Sequence, residues 1–219
     1  MTRIFNLALV LGIASTLSFA AVIDNFNGSA SAQIARDSVI DSVAVVDTLG
    51  GRTIFANKSE GNSGIYLDAT IGAQVEDYFS GSAGVGAAGR TGANYAGMWS
   101  LTSADLGFSI ELIGNDLPGS SISFWLSDGT NMATSPDYAL AVVGPGDPSQ
   151  VIIALFSGFS GIESVNMSAI TSLGFVNTHV ANGDLGLDNF GTQVIPEPGT
   201  YAMMAAGLVG LYFIRRRRA

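Results

Sequence analysis

The feature that most constrains the fold is the texture of residues 21–194, where short apolar or alternating runs are separated by Gly, Asn, Asp and Pro. The runs are rich in Val, Ile, Phe, Tyr and Thr, and none of them has a sustained helical period. Alternation with a period of two, bounded by turn residues, is typical of β-strands. The sequence therefore predicts an all-β body, with strands at residues 22–27, 38–47, 52–57, 65–71, 74–79, 95–101, 108–113, 121–126, 138–143, 151–157, 170–177 and 186–192.

About a dozen strands at this spacing fit one domain made of two antiparallel sheets. An antiparallel jelly-roll β-sandwich is the predicted architecture, because it protects sheet edges without covalent cross-links, and the chain has no cysteine. A β-helix is the alternative, but no repeat of fixed period supports it. The Gly- and Ala-rich residues 80–97 are expected to form a flexible loop.

The charges of the chain are unevenly distributed. Between positions 21 and 214 there are four basic residues against 18 acidic ones, and the other five basic residues lie in the two end segments. An acidic body repels phosphate backbones, which excludes nucleic-acid partners. It favours solubility or a divalent cation instead, and calcium is the cation considered. Without cysteine, disulfides, thiolate metal sites and cysteine nucleophiles are excluded together.

Residues 1–20 have the three parts of a secretory signal peptide. Arg3 supplies the positive charge, residues 4–17 form the apolar run, and Ser18-Phe19-Ala20 places small residues before a cut. We therefore expect export and cleavage after Ala20, which leaves residues 21–194 as the body. The alternative is an uncleaved membrane anchor, which the short apolar run disfavours.

Residues 195–219 form a C-terminal tail in which Pro196-Glu197-Pro198 precedes an apolar run at residues 201–214. As a hydrophobic helix this run is about 21 Å long, short of the roughly 30 Å hydrocarbon core of a bilayer. Snorkelling of the terminal arginines brings the segment close to spanning, and the positive-inside rule keeps them in the cytoplasm. The two prolines keep their segment extended. The basic cluster consists of Arg215, Arg216, Arg217 and Arg218.

This order of Pro-Glu-Pro, short apolar helix and arginine cluster, behind a signal peptide, closely resembles the PEP-CTERM sorting signal. The resemblance covers the last 25 or so residues. It implies that a membrane-embedded exosortase recognises Pro196-Glu197-Pro198 and removes the tail. The protein is then released from an inner-membrane intermediate to the cell surface or extracellular matrix of a Gram-negative bacterium, where such proteins accompany exopolysaccharide and biofilm. A plain tail-anchored protein is the alternative.

Three short pieces of the body resemble the scaffold of lectin-like or carbohydrate-binding-module jelly rolls that occur in many PEP-CTERM proteins. This resemblance is weaker than that of the tail, because each piece is short. It implies a body that binds polysaccharide. The pieces are Val22-Ile23-Asp24-Asn25-Phe26, Gly50-Gly51-Arg52 and Leu187-Asp188-Asn189-Phe190.

Two kinds of candidate site follow from the body. Trp99, after the glycine-rich segment, is the candidate platform for stacking a sugar ring, whereas Trp125 lies in an apolar run and is expected in the core. A structural calcium is the second candidate, because jelly rolls bring their ends together; turn capping by the same side chains is the favoured alternative. The candidate calcium ligands are Asp24, Asp184, Asp188 and Asn189.

Catalytic signatures are weak in this sequence. Residues 84–89 match the G-x-G-x-x-G string, but no βαβ pattern surrounds them. His179 is the only histidine and is expected in a loop near a strand end. No G-x-S-x-G elbow is present, and the five glutamates are scattered. We therefore expect a non-enzymatic surface or matrix protein without a cofactor, whose hypothesised ligand is extracellular polysaccharide. A small secreted glycan hydrolase or lyase with the same fold is the alternative.

Overall fold

The computed structural model describes residues 19–26, 30–34, 41–46, 51–60, 67–71, 78–84, 87–102 and 105–194. Most of the predicted signal peptide and the whole predicted tail, including its hydrophobic helix, lie outside the described residues. Within the described part of the chain, no helix has the length and apolar character needed to cross a membrane.

The described residues form fourteen strands and three one-turn 3-10 helices, the latter at Phe156–Gly158, Ile162–Ser164 and Met167–Ala169. The first seven strands are β1 (Phe19–Asp24), β2 (Ala30–Ile34), β3 (Asp41–Val46), β4 (Arg52–Glu60), β5 (Leu67–Ile71), β6 (Phe79–Ala83) and β7 (Ala88–Trp99). The others are β8 (Asp105–Asn115), β9 (Ser121–Ser127), β10 (Met132–Thr134), β11 (Tyr138–Ala139), β12 (Gln150–Leu155), β13 (Ile170–His179) and β14 (Asp184–Val194).

The strands form two antiparallel sheets of seven strands each. The first sheet has the order β12-β8-β14-β6-β5-β2, with β1 also paired to β14. The second has the order β10-β9-β13-β7-β4-β3, with β11 also paired to β9. Neighbouring strands are far apart in sequence, as β14 and β8 show, so the sandwich is closed by long-range pairing. The predicted all-β jelly-roll sandwich is thus confirmed.

The space between the sheets is filled largely by phenylalanine. Phe190 on β14 lies 5.4 Å, between ring centroids, from both Phe108 and Phe175. It also stacks on Phe124 of the second sheet at 6.1 Å. These rings come from alternate positions of their strands, as expected where one face of each sheet is buried. Aromatic burial from both sheets therefore stabilises a fold that has no disulfide.

Two parts of the strand prediction are wrong. Residues 80–97 are not one flexible loop, because β6 and β7 cover most of them. The short strands β2 and β10 were not predicted either. At the N-terminus, β1 begins at Phe19, so the predicted cleavage after Ala20 falls inside it. The pairs Val22 with Gly191 and Asp24 with Phe190 both lie beyond that cut.

Candidate functional site

The outer face of the second sheet carries the candidate site, and β9 shows how its side chains are sorted. Buried Ile122, Phe124 and Leu126 alternate along this strand with half-buried residues that face outward. The half-buried set includes Trp125, so the expectation that Trp125 lies in the core is wrong. The outward set is Ser121, Ser123, Trp125 and Ser127.

The indole of Trp125 lies along the sheet because its neighbour on β13 is a glycine. Gly174 is directly opposite Trp125 in the strand register. A Cβ atom placed on Gly174 would lie 2.9 Å from Trp125 Nε1 and 3.1 Å from its Cε2. The ring therefore occupies the space of the missing side chain, so it is folded down over β13. A glycine inside a strand often marks such a close approach.

A second aromatic ring on the same face also lies over a strand glycine. Phe55 on β4 is half-buried, and a Cβ atom on Gly92 of β7 would lie 2.8 Å from its Cζ. Gly92 pairs with Val176, two residues along β13 from Gly174. From the usual strand spacing and rise, the two glycines lie roughly 8 Å apart. Trp125 and Phe55 therefore form two neighbouring aromatic platforms on one face.

A groove of about 450 Å³ surrounds Trp125. Its polar side chains make no hydrogen bond or ion pair with any described residue. Met132, 60% exposed, adds an apolar wall. The residues lining the groove with Trp125 are Arg90, Asn94, Ser123, Phe124, Met132, Thr134, Asp137, Val176 and Thr178.

The groove therefore combines a flat aromatic surface with hydroxyl, amide, carboxylate and guanidinium groups. A ring presents an apolar face to a ligand, and the polar groups donate to or accept from its edges. Few ordered polar groups around an aromatic floor are the usual composition of a small-ligand site. The arrangement suits a molecule with apolar ring faces and hydroxyl edges.

Trp99, the platform predicted from the sequence, lies elsewhere. It is half-buried at the end of β7, packs against the core, and lines a smaller cavity of about 250 Å³ at one end of the sandwich. The other lining residues of this cavity are Ile23, Asp24, Gly51, Arg52, Tyr95 and Ala96.

Asp24 links the two sheets at this end of the sandwich. Its Oδ2 accepts hydrogen bonds from Arg52 Nη1 at 2.5 Å and from Tyr95 Oη at 2.7 Å. Its Oδ1 accepts the backbone N–H of Phe26 at 2.6 Å, and Phe26 has a left-handed φ of 54°. Burial, together with the charge of Asp24, raises the pKa of Tyr95 well above its ordinary value. Asp24 therefore holds a buried ion pair and a strained turn.

The other candidate calcium ligands lie in two further networks. Asp188 Oδ1 accepts the N–H of Asn189 at 2.7 Å, and Asn189 Nδ2 donates to Glu111 Oε2 at 2.8 Å. Asp184 accepts a hydrogen bond from Ser82. The predicted meeting of β1 and β14 does occur. Among the described residues, however, no group of three or more His, Cys, Asp or Glu side chains is placed to hold a metal ion.

His179, singled out as the only histidine and expected in a loop, is the last residue of β13 and is buried between the sheets. Its Nε2 lies 2.6 Å from Thr91 Oγ1. Gly81 of the opposite sheet makes room for the imidazole, since a Cβ atom there would lie 2.7 Å from His179 Nε2. Burial lowers the pKa of His179 to about 4. The imidazole is therefore neutral at physiological pH.

This burial predicts a specific acid sensitivity. The unfolded chain binds a proton at His179 near pH 6.5 and the folded chain only near pH 4. The stability that the neutral imidazole confers is therefore complete above pH 6.5 and is lost as the pH falls towards 4, by about 3 kcal/mol. Denaturant unfolding of wild type and His179→Gln between pH 4 and pH 8 measures it. Parallel pH profiles for the two proteins would contradict the prediction.

The polar residues of the groove were missed by sequence reasoning, although one signal for Trp125 was present. In residues 121–127 the Ser and Trp positions alternate strictly with Ile, Phe and Leu. A period of two places Trp125 on the serine face, hence outside. Asn94, Asp137 and Thr178 come from three separate segments, and their meeting depends on strand pairing that a single sequence does not reveal.

The C-terminal tail matches a family model. Residues 194–218 match the PEP-CTERM protein-sorting motif. The tail recognised from Pro196-Glu197-Pro198 and the terminal arginines is thus confirmed, and the motif indicates export to the cell surface or extracellular space. No curated protein matches the chain.

Similar solved structures share low sequence identity with this chain. A family 11 carbohydrate-binding module from Clostridium thermocellum, in complex with a β-1,3-1,4-mixed-linked tetrasaccharide, is 15% identical with a TM-score of 0.42; the match covers 80% of this chain and 95% of the module. Tailspike protein 4 of bacteriophage CBA120 is 13% identical with a TM-score of 0.32, over 80% of this chain and 20% of the tailspike domain. Because the identities and TM-scores are low, these similarities carry no inference about a ligand of this chain.

Proposed function

We propose that the chain is an exported surface or matrix protein whose body binds an extended polysaccharide along the outer face of the second sheet. The observation that carries the proposal is the pair of aromatic rings laid over glycines, Trp125 over Gly174 and Phe55 over Gly92. A sugar ring stacks its C–H face on such a platform. Two platforms over glycines roughly 8 Å apart suit a chain of sugars better than a single sugar.

The polar side chains of the groove supply the second half of the recognition. Asn94 and Thr178 each donate and accept, Arg90 donates only, and the carboxylate of Asp137 accepts only. Sugar hydroxyls do both, so this mixture matches their edges. These side chains form no hydrogen bond with a described residue that binding would have to break.

Binding is favoured over hydrolysis by the composition of the groove. Most glycoside hydrolases use two carboxyl groups on either side of the scissile bond. Among the described residues that line this groove, Asp137 is the single carboxylate. A hydrolase or lyase is therefore the second candidate, and release of reducing ends from a bound polysaccharide would identify it.

The tail supplies the sorting signal that directs the body to its location. The PEP-CTERM motif is proposed to be cut by an exosortase-type membrane protease at Pro196-Glu197-Pro198, after a temporary stay in the inner membrane of a Gram-negative bacterium. The freed body then lies where extracellular polysaccharide is. β14 ends at Val194, two positions before Pro196, so the motif follows the folded body directly.

Loss of the indole should weaken binding selectively. Stacking on Trp125 is expected to contribute on the order of 1–1.5 kcal/mol, so Trp125→Ala should lower the affinity about tenfold. Affinity electrophoresis of the full-length protein, in mild detergent, through gels containing the host's purified extracellular polysaccharide measures the change. Thermal unfolding of the variant checks that the fold is retained.

Trp99→Ala is the matched control, because it removes the chain's other tryptophan from a different cavity. Its affinity should equal that of the wild type. Loss of binding in the Trp99 variant, with full binding in the Trp125 variant, would move the site to the end of the sandwich. Unchanged binding in both would refute an aromatic platform at either tryptophan.

A further inference from the structure

The outer face of the first sheet contains a groove whose floor is two glycines side by side. Gly186 on β14 pairs with Gly114 on β8 and with Ser80 on β6. Three adjacent positions thus carry no side chain larger than a serine, and the surface is depressed there. The depression opens into a cavity of about 560 Å³. Glycines in a strand interior weaken the strand, so their position calls for a reason such as ligand approach.

An aromatic ring lies beside this floor, as in the Trp125 groove. A Cβ atom on Gly186 would lie 3.6 Å from Tyr78 Cδ2 and 3.0 Å from Ile113 Cγ1. The half-buried Tyr78 and Ile113 therefore reach over the glycine and form an apolar wall. Both sheets present the same combination on their outer faces, a ring resting against a strand glycine.

Three carboxylates surround the cavity and remain able to accept hydrogen bonds. Asp116 accepts the N–H of Asp184 at 2.7 Å, Asp147 accepts the N–H of Gly144 at 3.0 Å, and Asp184 accepts from Ser82. Each bond uses one oxygen, and the second oxygen of each carboxylate has no partner among the described residues. The three are not placed to hold a metal ion. None of the described residues that line the cavity is basic, which favours a neutral, hydroxyl-rich ligand.

We propose that this groove is a second polysaccharide site, so that one molecule binds two neutral polysaccharide chains and cross-links them. The inference rests on the proposed function of the Trp125 groove. The two grooves lie on the outer faces of opposite sheets, whose inner faces are about 10 Å apart. They therefore point away from each other and engage separate chains. Linking two sites in one rigid body turns a binding protein into a matrix cross-linker.

Gly114→Val tests the second site alone. The nearest heavy atom to a Cβ on Gly114 is the backbone nitrogen of Gly186 at 4.0 Å, so a larger side chain fits the structure while filling the groove. Tyr78→Ala removes the ring instead and gives an independent variant. Titration calorimetry with a short oligosaccharide fragment of the host's neutral extracellular polysaccharide counts the sites. Turbidity and viscosity with the intact polymer measure cross-linking.

Wild type should bind two oligosaccharides and thicken the polymer. Trp125→Ala, Gly114→Val and Tyr78→Ala should each weaken one site about tenfold or more, leave the other site at wild-type affinity and sharply reduce thickening. Gly114→Val combined with Trp125→Ala should weaken both sites. One site in wild type, weakened by Trp125→Ala and unaffected by Gly114→Val or Tyr78→Ala, would overturn the second site and leave the proposed function standing. Absence of binding by folded wild type would overturn both.

Discussion

Replacement of Asp24 by Asn is expected to lower the free energy of unfolding by about 3–5 kcal/mol, the usual cost of removing one partner of a buried ion pair. The side chains of Asp24 and Arg52 are 9% and 5% exposed. Asn keeps the size of the side chain and its acceptor for the Phe26 N–H, so the loss reports on charge. The cost arises because the guanidinium of Arg52 is left buried without its counter-charge.

Urea unfolding at pH 7 measures this loss, and two further variants interpret it. Asp137→Asn removes an exposed carboxylate and should change stability by less than about 0.5 kcal/mol. Asp24→Asn combined with Arg52→Met removes both charges and should recover much of the lost stability. A loss below about 1 kcal/mol in Asp24→Asn would show that this end of the sandwich is more hydrated than the structure indicates.

The same measurement separates the ion pair from a calcium site. The ion pair acts without metal, so the loss in Asp24→Asn should be equal in EDTA and in millimolar calcium. A ligand that binds only the folded state stabilises it by mass action. A loss that appears only with calcium would therefore support the calcium hypothesis for Asp24.

How well a strand was predicted from the sequence depended on its residue composition. β9, β13 and β14 were found because β-branched and aromatic residues alternate along them with small or polar ones. β6 and the first half of β7 were mistaken for a loop because Gly and Ala dominate there. In the structure, Gly81 and Gly92 make room for His179 and Phe55 from other strands. The glycines that hide a strand from local propensity are those that permit long-range contacts.

The two Asp-Asn-Phe tripeptides show the limit of what a short motif predicts. Residues 24–26 and 188–190 have identical sequences. The first tripeptide begins at the last residue of β1 and the second lies within its partner β14, and both aspartates accept a nearby backbone N–H. Their surroundings differ, since Asp24 faces Arg52 while Asn189 bonds to Glu111. The local capping role follows from sequence alone. The ion pair across the sheets depends on the arrangement of β1 against β4, which a single sequence does not contain.

Changing the Pro-Glu-Pro segment of the tail should abolish release of the protein completely. As a helix, the apolar run of residues 201–214 would be about 21 Å long and marginal for spanning, so the segment suits a temporary anchor rather than a permanent one. Replacing both prolines and the glutamate of Pro196-Glu197-Pro198 by alanine leaves the run and the arginines unchanged. We expect that variant to insert normally and to remain entirely in the membrane fraction.

The arginine cluster should act at a different step. Changing Arg215 to Arg218 into asparagine removes the positive-inside signal, so it should weaken retention or orientation before any cut is made. Mass spectrometry of the wild-type protein released by its native host should find a C-terminus within residues 196–200, with residues 201–219 missing. A released, soluble form that still carries Arg218 would refute processing and place the chain among plain tail-anchored proteins. The arginine variant should be defective in insertion, whereas the variant of Pro196-Glu197-Pro198 should insert and be defective only in release. The two variants therefore distinguish anchoring from cleavage.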